Sequence, residues 1–224
     1  MKAVQIISLF LIALLFCTGC DNTNSVNSND TIYGSGVIVT KTVSVAECSG
    51  ITINSVGNVY LTQDTVQSIR IEADDNIMDK VIAREENGIL VTGLPSGSYS
   101  NITLRIYVSM KSINQLAIVG AGNIELQNSI ASSDLNCSID GAGRIYVVGT
   151  GNSMNCLING AGTIDAKDFA VVKCKAVVNG AGACTVNTSS ELDASINGAG
   201  TIYYYGNPSS VKTSILGVGQ IVKK

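Results

Sequence analysis

The chain has 224 residues, of which 46% are hydrophobic and 5% aromatic, with no Trp and no His. Lack of His excludes Ser-His-Asp catalysis, His-ligated metals and imidazole proton shuttles. The formal charge is −3, from 14 basic and 17 acidic residues, and no basic patch suits a polyanion, so nucleic acid is not an expected partner.

Residues 1–19 read as a secretory signal. Lys2 is a short positive start, Ala3 to Phe16 is apolar apart from Gln5 and Ser8, and the small pair Thr18-Gly19 precedes Cys20. This run is short for a membrane span and right for a signal-peptide core. The pattern resembles a bacterial lipoprotein signal, which makes Cys20 the expected lipidation (palmitate) site. An ordinary cleaved signal or an N-terminal membrane anchor are the alternatives. Residues 21–31 are polar except for Val26, and 20–33 read as the lipidated Cys and a flexible tether between lipid and domain. The expected location is the envelope of a Gram-negative bacterium, lipid-anchored, at the outer membrane or cell surface.

Residues 34–112 are rich in strand patterns but irregular. Ile51 and Ile53 alternate with Thr52 and Asn54, and further strands are expected at 58–62, 68–72, 88–92 and 102–108. Asp74 to Lys80 is the one plausible helical turn. The segment Asn54 to Val59 reads as a decayed copy of a corner that recurs later, with Ser55 in place of a glycine.

From 113 to 224 the chain repeats itself. A Gly-x-Gly corner recurs at Gly120 and Gly122, Gly141 and Gly143, Gly160 and Gly162, Gly180 and Gly182, Gly198 and Gly200, and Gly217 and Gly219. First glycines are spaced by 21, 19, 20, 18 and 19 residues. A period near 20 indicates a solenoid, in which no coil can bury its own face. Counting from the first glycine, the position two before holds Ile118, Ile139, Ile158, Val178, Ile196 and Ile215, and the position four after holds Ile124, Ile145, Ile164, Cys184, Ile202 and Ile221. This period-two alternation marks half-buried strands. Leu157 and Val177 interrupt it, which suggests coils covered on both faces. Asn159, Asn179 and Asn197, just before the corners, are candidates for a side-chain ladder. The expected fold is all-β, a β-helix-like or β-roll-like solenoid continuous with the N-terminal part. A sandwich of short hairpins is the alternative.

The succession of lipoprotein signal, Gly34-Ser-Gly36, the segment Val45 to Gln63, Ile69 to Ile77, the Gly-Ala-Gly corners and Tyr203 to Pro208 closely resembles the putative auto-transporter adhesin, head GIN domain family. The resemblance implies a single all-β domain of solenoid character over roughly 34–222 and an adhesin-like function, and it brings no catalytic residues.

Seven Cys leave five once Cys17 departs with the signal and Cys20 is lipidated: Cys48, Cys137, Cys156, Cys174 and Cys184. Most occupy inward columns and read as small buried hydrophobes; a Cys174–Cys184 disulfide is the alternative. Gly-Ala-Gly lacks the context of a nucleotide loop. Asp74, Asp75, Asp79, Glu85 and Glu86 read as a solvated acidic face rather than a Ca²⁺ site. Tyr203 and Tyr205 are candidate exposed binding residues. Arg144, Asp165 and Asp193 stand in different coils and columns, and Glu125 and Asp165 share a column two coils apart, so no paired carboxylates are expected. The expected function is non-enzymatic, adhesin-like binding to a glycan or protein, with the membrane as the other partner through the lipid. A β-helix carbohydrate-active enzyme, and a structural or sensory protein that forms homo-oligomers through its end coil, are the rivals. No cofactor, metal or catalytic residue is expected.

Overall fold

Alternation on both sides of a tight corner dictates two inward-facing strands per coil, and the chain builds them repeatedly. The computed structural model describes residues 31–224; the signal peptide, Cys20 and nearly all of the tether lie outside them. The strands are β1 (Ile32–Tyr33), β2 (Ile38–Val43), β3 (Gly50–Ser55), β4 (Asn58–Gln63), β5 (Ser68–Asp74), β6 (Ile82–Glu86), β7 (Ile89–Gly93), β8 (Tyr99–Ser100), β9 (Leu104–Met110), β10 (Gln115–Gly120), β11 (Asn123–Leu126), β12 (Ile130–Gly141), β13 (Arg144–Gly160), β14 (Thr163–Gly180), β15 (Ala183–Gly198), β16 (Thr201–Tyr205), β17 (Ser210–Gly217) and β18 (Gln220–Lys223). One short helix, α1 (Asp75–Met78), follows β5, where the helical turn was expected.

Successive coils pair in parallel, like residue on like residue. Ile118 pairs with Ile139, Ile139 with Ile158, Ile158 with Val178 and Val178 with Ile196. After the corner, Ile124 pairs with Ile145 and Ile145 with Ile164. Both columns are fully buried until the last coil. The fold is therefore the expected solenoid. Its step varies because the links between coils bulge, not the corners: Arg144 pairs with Thr163, nineteen residues on, whereas Val148 pairs with Asp168, twenty residues on. Phe169, fully buried, fills the interior at this link.

The solenoid starts earlier than the repeats suggest. β3 pairs in parallel with β10 and β4 with β11, which sets Ser55 against Gly120. Ser55 adopts φ 81°, the left-handed region its glycine counterparts favour. β7 and β9 form a further coil on the other side of β3 and β4. The first coil in sequence is thus internal in space. β5 then pairs antiparallel with β9, β2 with β5, and β6 with β7. The chain crosses from β5 to β6 through α1, burying Ile77 and Met78, and so caps this end. Asp74 belongs to the cap rather than to a solvated face. It is buried, and its carboxylate accepts the Gly36 amide at 2.8 Å and the Thr103 amide at 2.6 Å. At the other end β17 has a neighbour on one side, and Val211, Ile215, Leu216 and Val218 are exposed.

Corners stack through the backbone. The amides of Ala142, Ala161, Ala181 and Ala199 donate to the carbonyls of Gly120, Gly141, Gly160 and Gly180, each at 2.9 Å. The two glycines of a corner are needed for different reasons. Gly160 sits at φ 134°, and a Cβ there would lie 2.4 Å from the Gly141 carbonyl oxygen. Gly162 has no such φ, but its Cβ would lie 2.6 Å from Ile139 Cγ2. Beside the corner the asparagine ladder forms and is one rung longer than expected. Asn159 donates to Asp140 at 2.5 Å, Asn179 to Asn159 at 2.8 Å and Asn197 to Asn179 at 2.7 Å. Leu157 is solvent-exposed and Val177 half-buried, so the break in alternation marks an apolar spot on the outside and not a covered second face.

All five described cysteines are free and buried. Cys137 and Cys156 are partners in adjacent coils. Burial pushes the Cys137 thiol well up. Hydrogen bonding to Cys174 and Cys184, together with burial, does the same for Cys156.

Two outcomes follow for stability. Gly160→Val places a branched side chain at positive φ against a backbone carbonyl, and should cost more than about 3 kcal/mol. Ala161→Ser, at an exposed position, should leave the urea midpoint near that of the parent; equal midpoints for the two variants would contradict the corner account. The raised thiols give a pH signature. The unfolded chain loses these protons near the ordinary thiol pKa of about 8.5 while the folded chain keeps them, so stability is intact below that pH and falls above it. Well above that pH the slope approaches about 1.4 kcal/mol per pH unit for each raised thiol. Cys156→Ala should make the slope between about pH 9.5 and 10.5 shallower, and a flat profile in the parent would refute the assignment.

Candidate functional site

In each strand after a corner, the residues between the buried ones point outward, and stacking turns them into rows that run along the solenoid. Tyr107, Tyr60, Glu125, Tyr146 and Asp165 are consecutive partners in β9, β4, β11, β13 and β14. The adjacent row runs Arg105, Asn58, Asn123, Arg144 and Thr163. Neighbouring strands are about 4.8 Å apart, so the face presents a ring or a hydrogen-bonding group at every step.

The tyrosine end of the face is built by the cap. The Tyr60 and Tyr107 rings stack with centroids 5.2 Å apart and planes 21° apart. Arg70 of β5 lies 4.0 Å over the Tyr107 ring and also donates to Glu72. That hydrogen bond holds the Glu72 carboxyl below its usual range, with help from Tyr107 Oη at 3.3 Å and the Arg105 charge at 3.9 Å. Next to this cluster a groove of about 560 Å³ is lined by Asn58, Tyr60, Asn123, Glu125, Arg144 and Tyr146. Asn123 donates to Asn58 at 2.8 Å. A second groove, of about 390 Å³, shares Tyr60 and includes Arg70, Tyr107 and Gln127.

Arg144 and Asp165, read from sequence as isolated charges, form an ion pair at 3.1 Å across neighbouring coils. Glu125 and Asp165 stand two strands apart with Tyr146 between them, about 10 Å in strand spacings. This separation exceeds that of a glycosidase carboxylate pair.

Tyr203 and Tyr205 are half-buried rather than fully exposed. Tyr203 continues the tyrosine row, next to Thr185, while Tyr205 pairs with Asn187. Tyr204 packs against the core between them. Tyr203 therefore shares the candidate face, three strands beyond Tyr146. Tyr60, Tyr107 and Tyr146 were not singled out from the sequence, although Tyr60, Tyr146 and Tyr203 all fall five residues after the first corner position. The signal was present as a column of one residue type. Tyr107 lacked it because β9 follows no Gly-x-Gly corner.

Residues 48–208 match the family model described as putative auto-transporter adhesin, head GIN domain. The chain belongs to this family. The matched segment of the GIN domain includes the groove between Tyr60 and Tyr146 and five of the six Gly-x-Gly corners. Among solved structures, this GIN domain resembles a putative adhesin from Bacteroides fragilis, with a TM-score of 0.71 at 24% identity over 86% of this chain and 100% of the other. A putative adhesin and a putative lipid binding protein from Parabacteroides distasonis each give a TM-score of 0.55 at 20% identity, over 87% of this chain and 100% of theirs. These likenesses establish the fold. No curated protein matches the chain.

Proposed function

We propose that the chain is a non-enzymatic, lipid-anchored envelope protein that works as an adhesin-like head and binds an extended glycan along the Tyr107-to-Asp165 face. The observation that carries this reading is the row itself: aromatic rings and hydrogen-bonding groups repeat at strand spacing on an open face, which suits a chain-like ligand with apolar ring faces and polar edges. Family membership supports the adhesin-like role. The anchor reading rests on Cys20 and its preceding segment. The chain enters the fold at the capped end, where Gly36 is held by Asp74, so a tether starting at Cys20 would leave the coils projecting away from the bilayer.

The experiment combines both halves. Cys20→Ser should release the chain from the membrane fraction or leave it unprocessed, while glycan-array binding by the solubilised full chain should fall at least tenfold in Tyr60→Ala and Tyr146→Ala with the fold retained. Unchanged fractionation would contradict the anchor, and array binding indifferent to both tyrosines would contradict the face. Glycan cleavage abolished by Asp165→Asn would favour the enzymatic rival.

A further inference from the structure

The groove between Tyr60 and Tyr146 has a feature that the general glycan reading leaves unexplained, and the following rests on that reading. Three outward tyrosines take cations from their own chain. Arg70 lies 4.0 Å from the Tyr107 ring, Lys224 Nζ 4.7 Å from that of Tyr203 and Lys167 Nζ 5.3 Å from that of Tyr205. Among the described residues Tyr146 carries no such cation, and Tyr60 has its stacking partner Tyr107 instead. Between them Glu125 is exposed and enters no ion pair among the described residues. Arg144, which lines the same groove, is engaged by Asp165 at 3.1 Å.

Register fixes the shape of this slot. Tyr60 and Tyr146 flank Glu125 one strand to either side, so the two tyrosines leave the sheet about 10 Å apart with Glu125 between them in the same row. Two tyrosines and an unpaired carboxylate lining one groove suit a cation: aromatic ring faces are negative, and the carboxylate supplies the counter-charge. Next to the slot, the Asn123-to-Asn58 hydrogen bond leaves the Asn123 carbonyl oxygen and the Asn58 amide N–H groups to meet hydroxyls.

We propose that the Tyr60–Glu125–Tyr146 slot is a receptor for the ammonium group of an amino sugar, so that this face selects glycans carrying free amines. The ammonium sits between the rings against Glu125, and the hydroxyls of the same sugar bond to Asn58 and Asn123. N-acetylation removes the charge and with it the preference.

The test is titration calorimetry of the full chain in detergent with a glucosamine hexamer, its fully N-acetylated counterpart and a glucose hexamer, repeated on Glu125→Gln. The parent should bind the glucosamine hexamer at least tenfold tighter than the other two, and Glu125→Gln should erase that difference at unchanged melting temperature. Equal binding of the three hexamers, or a preference that survives Glu125→Gln, would overturn the amine receptor and leave the glycan face standing. If none of the hexamers binds and the glycan array is also blank, it is the glycan reading itself that fails.

Discussion

The rest of the structure depends on a backbone hydrogen bond between stacked corners, in which the amide of the middle corner residue donates to the first glycine carbonyl of the preceding corner. The geometry of that bond is what demands glycine. The carbonyl oxygen of Gly141 occupies the space a Cβ on Gly160 would need, and Gly160 itself stands at φ 134°. Once the corners are locked in line, each residue falls on its counterpart one coil away, and the inward columns become unbroken stacks of small and aliphatic residues, Ile, Val, Leu, Met, Ala and Cys. Among the described residues Phe169 is the one fully buried aromatic side chain, and the core fills well because small aliphatic residues repeat at one depth.

The same lock makes the outside repetitive. A side chain on the outer face is useful to a ligand only if its neighbours are held in known positions, and stacking supplies that without any loop. Hence Asp140, Asn159, Asn179 and Asn197 form one chain of hydrogen bonds, and hence Tyr107, Tyr60, Glu125 and Tyr146 form one straight row. Length variation is kept out of both rows by the bulges after Tyr146 and Asp165.

The sequence was most legible where period and geometry coincide. The Gly-x-Gly corners, the Ile columns and the Asn ladder could all be read by counting, and even Ser55 was recognisable as a substituted corner. Spatial order in the N-terminal part was not legible. No local pattern says that β3 and β4 lie between β10–β11 and the later β7–β9 coil, because that order follows from antiparallel capping by β5 and β6. Asp74 likewise looked like one more surface carboxylate, since its partners Gly36 and Thr103 are distant in sequence. The ion pair of Arg144 with Asp165 is diagonal between columns, which straight column counting misses.

The corner lock is open to direct measurement by native-state hydrogen exchange. Corner residues Ala142, Ala161 and Ala181 are exposed by their side chains, and in an ordinary surface turn their amides would exchange within the fast, locally open class. Because each donates to a glycine carbonyl of the preceding coil, these amides should be as protected as those of the buried Ile139 and Ile158, opening only with the whole solenoid. Exchange at the rate of a fraying turn, with the flanking strands still protected, would contradict the claim that the stacked corners hold the coils in register.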